Sequence, residues 1–231
     1  MSMLGQHMHK WNQTHFDAAV RVLLYCNGTK SRGIRFWRGR SNGIPVNVLW
    51  SMSDADLAGD PATRRSRSGK IIMLNGGCLT IKSKLQTVIQ LSTCAAEIVA
   101  MSDVAHDVMA YRHILSELGH SQTLGTLLLC DNKAALAITK EHMILRAASK
   151  HLDMRVLKVR EFQAMSQIAA HHCATRELWA DLLTKNLSSV LFRQFRDGIT
   201  GYTNNLVIGY EQELVHRVSE SILSFAIASV S

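Results

Sequence analysis

A nearly unbroken apolar run, TLGTLLLC over residues 123–130, stops at Asp131 and constrains the fold more than any other stretch of the chain. A strand that is apolar on both faces must be covered on both, as a parallel strand in an α/β sheet is. A second strand is predicted where Val46, Val48 and Trp50 alternate with their neighbours, again ending in a carboxylate, Asp54. Residues 70–74 and 78–82 read as two further strands joined by Asn75-Gly76-Gly77, a hairpin signal. The stretch between Asp60 and Gly69, DPATRRSRSG, is polar and basic and predicts a turn.

Helical spacing appears elsewhere. Ile98, Met101, Ala105, Val108, Met109 and Leu115 recur along a helix expected over 92–118, with Ser92 or Thr93 as N-cap and Gly119 at its end. Residues 134–139 predict a short helix and 151–165 a longer one. A fifth strand is expected at 167–171, then a helix over 176–186. Upstream, HFDAAVRVLLYC at 15–26 puts Phe16, Ala19, Val20, Leu23 and Leu24 on one face, and Asn27-Gly28 supplies a stop. Residues 34–37 suggest a short strand before the basic Arg38-Gly39-Arg40. The order β-β-β-α-β-α-β-α gives an α/β class: a mixed five-stranded sheet, three antiparallel strands then parallel ones, with helices on both faces.

Lysine and arginine total 26 against 18 acidic residues, a net charge of +8, and the pI is about 9.5. That balance fits a polyanionic partner such as nucleic acid. Five widely spaced cysteines, at 26, 78, 94, 130 and 173, offer neither zinc-knuckle spacing nor a disulfide framework, so a reduced intracellular, cytoplasmic setting is expected. The N-terminal MSMLGQHMHKWNQTH lacks the apolar stretch of a signal peptide. The late run at 222–230 is too short and serine-interrupted to cross a bilayer, so no membrane association is expected.

Four carboxylates sit in phrases suited to a metal site: Asp54, Glu97, Asp131 and Asp181. Strands ending in Asp54 and Asp131 would set those two side by side if the strands are neighbours, because α/β ligands collect beyond the carboxyl ends of strands. Hard divalent cations such as Mg²⁺ take oxygen ligands, and a metal pair can drive in-line displacement at a phosphate. Without cations, four converging acids repel and some pKa values rise. Against this stands the fact that four can be chosen from 18 acids by chance.

The phrases carry more than the spacing does. Ser53-Asp54-Ala55-Asp56-Leu57-Ala58-Gly59-Asp60, Thr63-Arg64-Arg65-Ser66 and Ser68-Gly69 resemble the opening of the ribonuclease H domain in copia-type retrotransposon polyproteins. Ile81-Lys82-Ser83-Lys84, Leu91-Ser92-Thr93 with Ala96-Glu97, Cys130-Asp131-Asn132, Ser149 to Arg155 and Ala180-Asp181-Leu182-Leu183-Thr184-Lys185 continue the match in order. His15-Phe16 through Leu23, with Gly28-Thr29-Lys30, resembles the connection segment that precedes this domain. The resemblance implies a ribonuclease H-like fold at 46–187, a connection-like segment at 1–45 and a divergent tail of unassigned role at 188–231.

It also implies that Asp54, Glu97, Asp131 and Asp181 are catalytic metal ligands for Mg²⁺, with Mn²⁺ as substitute. The implied reaction is endonucleolytic hydrolysis of the RNA strand of an RNA–DNA hybrid. Arg64, Arg65, Lys82, Lys84, Asn132 and Lys185 are the candidate nucleic-acid contacts. The partner would be the reverse transcriptase portion of a polyprotein, absent from this chain, within a virus-like particle. Asp56 is read as a neighbour of the site, His172 as structural and His151 as a helix-start contact. Leu57 stands where the family usually has tryptophan and Lys70 where it has an apolar residue. The alternative reading is therefore a catalytically inactive remnant that folds and binds nucleic acid. An integrase or transposase of the same fold would need a three-acid site and a zinc-binding histidine/cysteine module, neither of which is seen.

Overall fold

The structure, a computed structural model, describes residues 2–38, 47–140 and 150–203. They fall into two compact units, Met1–Ile34 and Arg35–Ser231. The first contains a short helix, α1 (Ser2–Gly5), and α2 (Gln13–Gly28). Asn12 caps α2: its side chain accepts from the His15 N–H while the His15 ring accepts from the Asn12 N–H, a reciprocal capping box. No residue of α2 is buried, and Leu23 and Leu24 on its apolar face are 68% and 64% exposed.

The second unit is built on a five-stranded sheet in the order β3-β2-β1-β4-β5. Its strands are β1 (Leu49–Asp56), β2 (Arg67–Leu74), β3 (Gly77–Leu85), β4 (Thr126–Cys130) and β5 (Ile168–His172). β1, β2 and β3 pair antiparallel, whereas β4 and β5 add in parallel. This is the mixed sheet that the sequence predicts. Asn75 and Gly76 both take positive φ, so a two-residue turn joins β2 to β3 with the twist that suits a hairpin.

Among the described residues, four α-helices belong to this unit: α3 (Thr93–Glu117), α4 (Lys133–Lys140), α5 (Lys150–Ala164) and α6 (Ser189–Ile199). Side chains alternate across the sheet. Leu49, Ile72, Leu128 and Cys130 pack with α3, α4 and α5 on one face. Trp50, Met52, Ile71, Met73, Leu127 and Leu129 pack on the other, with Leu178, Trp179, Phe195 and Ile199. Ser92 caps α3 by accepting from the Ala95 N–H.

Three expectations are corrected. Residues 34–37 form no strand. Their chain runs beside other backbone, the Trp37 N–H donating to Asn75 O and the Arg35 N–H to Thr200 O, and Trp37 and Phe36 lie where a Cβ on Gly76 or Gly77 would be. The turn expected to last until Gly69 ends earlier, since β2 begins at Arg67. The helix expected over 176–186 is instead two 3₁₀ segments, Thr175–Glu177 and Trp179–Leu183. The reason is burial of four consecutive residues, Leu178 to Asp181. They wrap all the way round a helix, so an α-helix at the edge of the sheet would turn some of them to water.

Part of the tail at 188–231 also belongs to this core. Phe195 is fully buried and Gly198 touches the Trp179 ring so closely that a Cβ there would lie 2.7 Å from it. The apolar run at 222–230 lies outside the described residues, as does the His151 side chain. Among the described residues no helix is long and apolar enough to cross a membrane.

Candidate metal centre

β1 delivers Asp54, whose side chain is completely buried. Alternation puts it on the same face as Trp50 and Met52, toward the 3₁₀ segment Trp179–Leu183. In β2 the partner of Asp54 is Gly69. A Cβ on Gly69 would lie 2.9 Å from Ala180 O and 2.9 Å from Leu183 Cβ. The missing side chain lets the Asp181 segment settle directly on the strand, a close approach that glycine allows. Ser83 Oγ fixes the segment further by donating to Leu183 O at 2.6 Å.

β4 is parallel to β1, with Met52 opposite Leu129. Two more residues in the same register set Asp131 beside Asp54. Asp54, Asp131 and Asp181 each offer a carboxylate oxygen within 4.8 Å of the others. Thr175 Oγ1 donates to Asp131 Oδ2 at 2.8 Å, which orients that carboxylate.

Glu97 arrives from the first turns of α3, on the opposite face of the sheet. Its Oε1 accepts from the Ala55 N–H at 3.1 Å and its Oε2 from the Cys130 thiol at 3.7 Å. With Cys130 and Asp131 it forms a second group whose ligand atoms also lie within 4.8 Å. Asp131 is shared by both groups. The sequence reading set Asp54 and Asp131 side by side and left Glu97 and Asp181 unplaced around them. The structure arranges the four as three aspartates on one face and a glutamate entering from the other.

Lys185 Nζ lies 2.8 Å from Asp181 Oδ1 and 3.3 Å from Asp54 Oδ1. Thr184 Oγ1 donates to Asp54 Oδ2. Burial, reinforced by the charges of Asp54 and Asp131, pushes the Glu97 carboxyl up to about 9. Burial likewise lifts Asp181 to about 6, with Lys185 opposing the shift. Burial and then the Glu97 charge raise the Cys130 thiol, so it is a hydrogen-bond donor here, not a thiolate.

These shifts set a pH dependence. A carboxyl whose folded pKa lies above its unfolded value keeps more protons folded than unfolded, so it stabilises at low pH and that stability is lost as pH rises. For Glu97 the window runs from about 4.5 to about 9. Thermal melts in chelator are expected to show falling stability across that window, and added Mg²⁺ is expected to flatten the slope. A pH-independent melting temperature would contradict the burial of Glu97 in a charged neighbourhood.

The remaining predicted contacts fall in three places. Arg64 and Arg65 lie in the loop between β1 and β2, at the sheet end that carries Asp54. Lys82 and Lys84 line a groove with Ser68, Lys70, Asp103 and Asp107, on the α3 side of the sheet. Asn132 uses its side chain to accept from the Ala135 N–H at the start of α4. Asp56 accepts from the Arg67 N–H and packs where a Cβ on Gly59 would be, so it holds the β1–β2 loop. His171 and His172 pair with Leu129 and Cys130 on β5. Sequence reasoning missed Gly69, Cys130, Thr175 and Thr184. Gly69, Cys130 and Thr184 stood inside the matching phrases, but nothing in one dimension said which carboxylate each would touch.

No protein-family model matches the chain. It is 30% identical over 185 residues to the "Retrovirus-related Pol polyprotein from transposon TNT 1-94" of Nicotiana tabacum, covering 80% of this chain and 13% of that protein. Against the Pol polyprotein from transposon RE2 of Arabidopsis thaliana it is 29% identical over 195 residues, covering 84% and 13%. "Secreted RxLR effector protein 161" of Plasmopara viticola is 38% identical over 96 residues, covering 42% and 64%. The chain thus spans 13% of the length of each of these two polyproteins. Among solved structures, LC11-RNase H1 from compost aligns with 60% of this chain and 94% of its own, at TM-score 0.44 and 15% identity. An N-terminal RNase H domain from Mycobacterium tuberculosis aligns with 65% and 97%, at TM-score 0.42 and 11% identity.

Proposed function

This chain is homologous to a stretch of the Pol polyproteins of copia-type retrotransposons, and on that premise we propose a ribonuclease H-type endonuclease that hydrolyses the RNA strand of RNA–DNA hybrids. The observation that carries this reading is the convergence within 4.8 Å of Asp54 and Asp131, at the carboxyl ends of adjacent parallel strands, with Asp181 from the 3₁₀ segment packed on them. The donors are all carboxylate oxygens, which suits a hard cation such as Mg²⁺ or its substitute Mn²⁺. They already hold a positive charge in place, the Lys185 ammonium.

A pair of divalent metal ions held by Asp54, Glu97, Asp131 and Asp181 would supply the chemistry, one activating a water and the other stabilising the leaving 3′ oxygen. The protein's own groups prepare the site. Gly69 lets the Asp181 segment close on Asp54, Thr175 aims Asp131, and Cys130 with the Ala55 N–H fixes both oxygens of Glu97. Arg64 and Arg65 at the same sheet end, and Lys82 and Lys84 in the groove along α3, supply cations for phosphates. Such contacts position a duplex without reading its sequence. Choice of RNA would rest on the 2′-hydroxyl, which DNA lacks. In its polyprotein setting the partner is the reverse transcriptase portion.

The test is a labelled RNA–DNA hybrid with Mg²⁺ or Mn²⁺, comparing the unmutated chain with Asp131→Asn. Cleavage of the RNA strand is expected from the first and only background from the second, because Asp131 belongs to both ligand groups. No cleavage by the unmutated chain under either metal would defeat the proposal. Hybrid binding that persists without cleavage would then favour the non-catalytic reading.

A further inference from the structure

The ammonium of Lys185 stands where a cation bound by Asp54 and Asp181 would have to be. It contacts Asp181 Oδ1 at 2.8 Å and Asp54 Oδ1 at 3.3 Å, the two aspartates being among the most deeply buried polar residues of the fold. The backbone aims it there. Thr184 and Lys185 both donate their N–H groups to Asp181 O, which closes the turn after the 3₁₀ segment and brings the lysine stem back over Asp181. Thr184 Oγ1 at the same time takes the other oxygen of Asp54. The side chain stays 38% exposed, so it has an open path to leave.

We propose that Lys185 is the resident counter-ion of the metal-free site, bridging Asp54 and Asp181, and that a divalent cation enters only by displacing it. The inference rests on the metal-site reading above and adds how occupancy of that site is set. Three aspartates with no cation among them would repel one another in a buried setting, and the fold would open to relieve this. The lysine removes that repulsion before metal arrives. It also competes with the metal, because two cations cannot share the same pair of oxygens. The site therefore stays assembled while empty of metal and binds metal more weakly than its acids alone would.

The experiment compares the unmutated chain with Lys185→Gln and Lys185→Arg, using Mn²⁺ alone as probe. Calorimetric titration reads affinity, and thermal melts in chelator read the metal-free fold. Lys185→Gln is expected to bind Mn²⁺ about 10-fold tighter or more, since one positive charge a few ångströms from the metal is gone. The same variant is expected to melt lower in chelator and to recover when Mn²⁺ is added. Lys185→Arg, which keeps the charge, is expected to match the unmutated chain in both. If Lys185→Gln does not fold in chelator, its affinity is read by withdrawing Mn²⁺ from the loaded protein with a competing chelator. Unchanged or weaker Mn²⁺ binding by Lys185→Gln, while the unmutated chain binds, would overturn this inference and leave the metal site standing. Failure of all three chains to bind Mn²⁺ would overturn both.

Discussion

Replacing Phe195 with alanine is expected to cost about 3–5 kcal/mol of stability, corresponding to a fall in melting temperature on the order of 10 °C for a chain of this size. Phe195 is completely buried, in the cluster that also holds Trp50, Leu178, Trp179 and Ile199. Its helix, α6, begins beyond the last residue of the matching phrases, yet it covers the sheet face on which Asp54 lies. Trp179 meets Trp50 edge to face at 5.6 Å and is held from the other side by Gly198. Trp179 is two residues before Asp181. A cavity at Phe195 would therefore loosen the segment that aims a candidate metal ligand. Metal affinity is expected to fall with stability. Val190→Ala serves as control, because Val190 on the same helix is 74% exposed. Denaturant melts of the two variants decide the matter. A Phe195→Ala chain as stable as the Val190→Ala chain would show that α6 is no part of the core.

Arg112→Met is expected to be nearly as damaging, costing about 3 kcal/mol or more, because it strips the partners from several buried polar groups at once. The Arg112 guanidinium projects from α3 and donates to four acceptors: Leu124 O at 2.7 Å, Gln122 O at 2.6 Å, Thr126 Oγ1 at 2.9 Å and Gln167 Oε1 at 3.0 Å. These lie on the approaches to β4 and β5, so one side chain ties the helix to both parallel strands. Gln122 extends the tie by accepting from the Leu49 N–H at the start of β1. Methionine fills much of the same volume, which separates loss of hydrogen bonds from loss of packing. Urea unfolding of the variant is expected to show a lower midpoint with an unchanged slope. A loss of unfolding free energy of less than about 1 kcal/mol would mean that water replaces the guanidinium at little cost.

Much of this architecture could be read in one dimension. The strands that deliver Asp54 and Asp131, the Asn75-Gly76 hairpin and the α3 face of Ile98, Met101, Ala105 and Val108 follow from periodicity and turn chemistry, and the structure contains them, although β1 runs two residues past Asp54 to Asp56. The failures share a cause. Residues 34–37 have a strand-like composition, but Trp37 and Phe36 are spent on packing against the glycines of the β2–β3 turn. The Asp181 segment has helical spacing, but four consecutive residues are buried there and 3₁₀ turns result. Local pattern reports what a segment prefers, and contacts distant in sequence decide when that preference yields.

The sequence by itself determined the sheet, its two carboxylate-ending strands and the ordered phrases that link the chain to retrotransposon polyproteins, because these rest on periods of two and 3.6 and on residue identity. Only the tertiary structure decided which oxygens meet. Asp54 and Asp181 are separated by 127 positions and Asp54 and Lys185 by 131. Their distances are set by the Gly69 gap, the parallel register of β4 on β1 and the burial of Trp179 beneath α6. Electrostatics followed the same division. The count of acids is written in the chain, but burial and proximity, which raise Glu97 to about 9 and place Lys185 among the aspartates, exist only once the chain has closed around them.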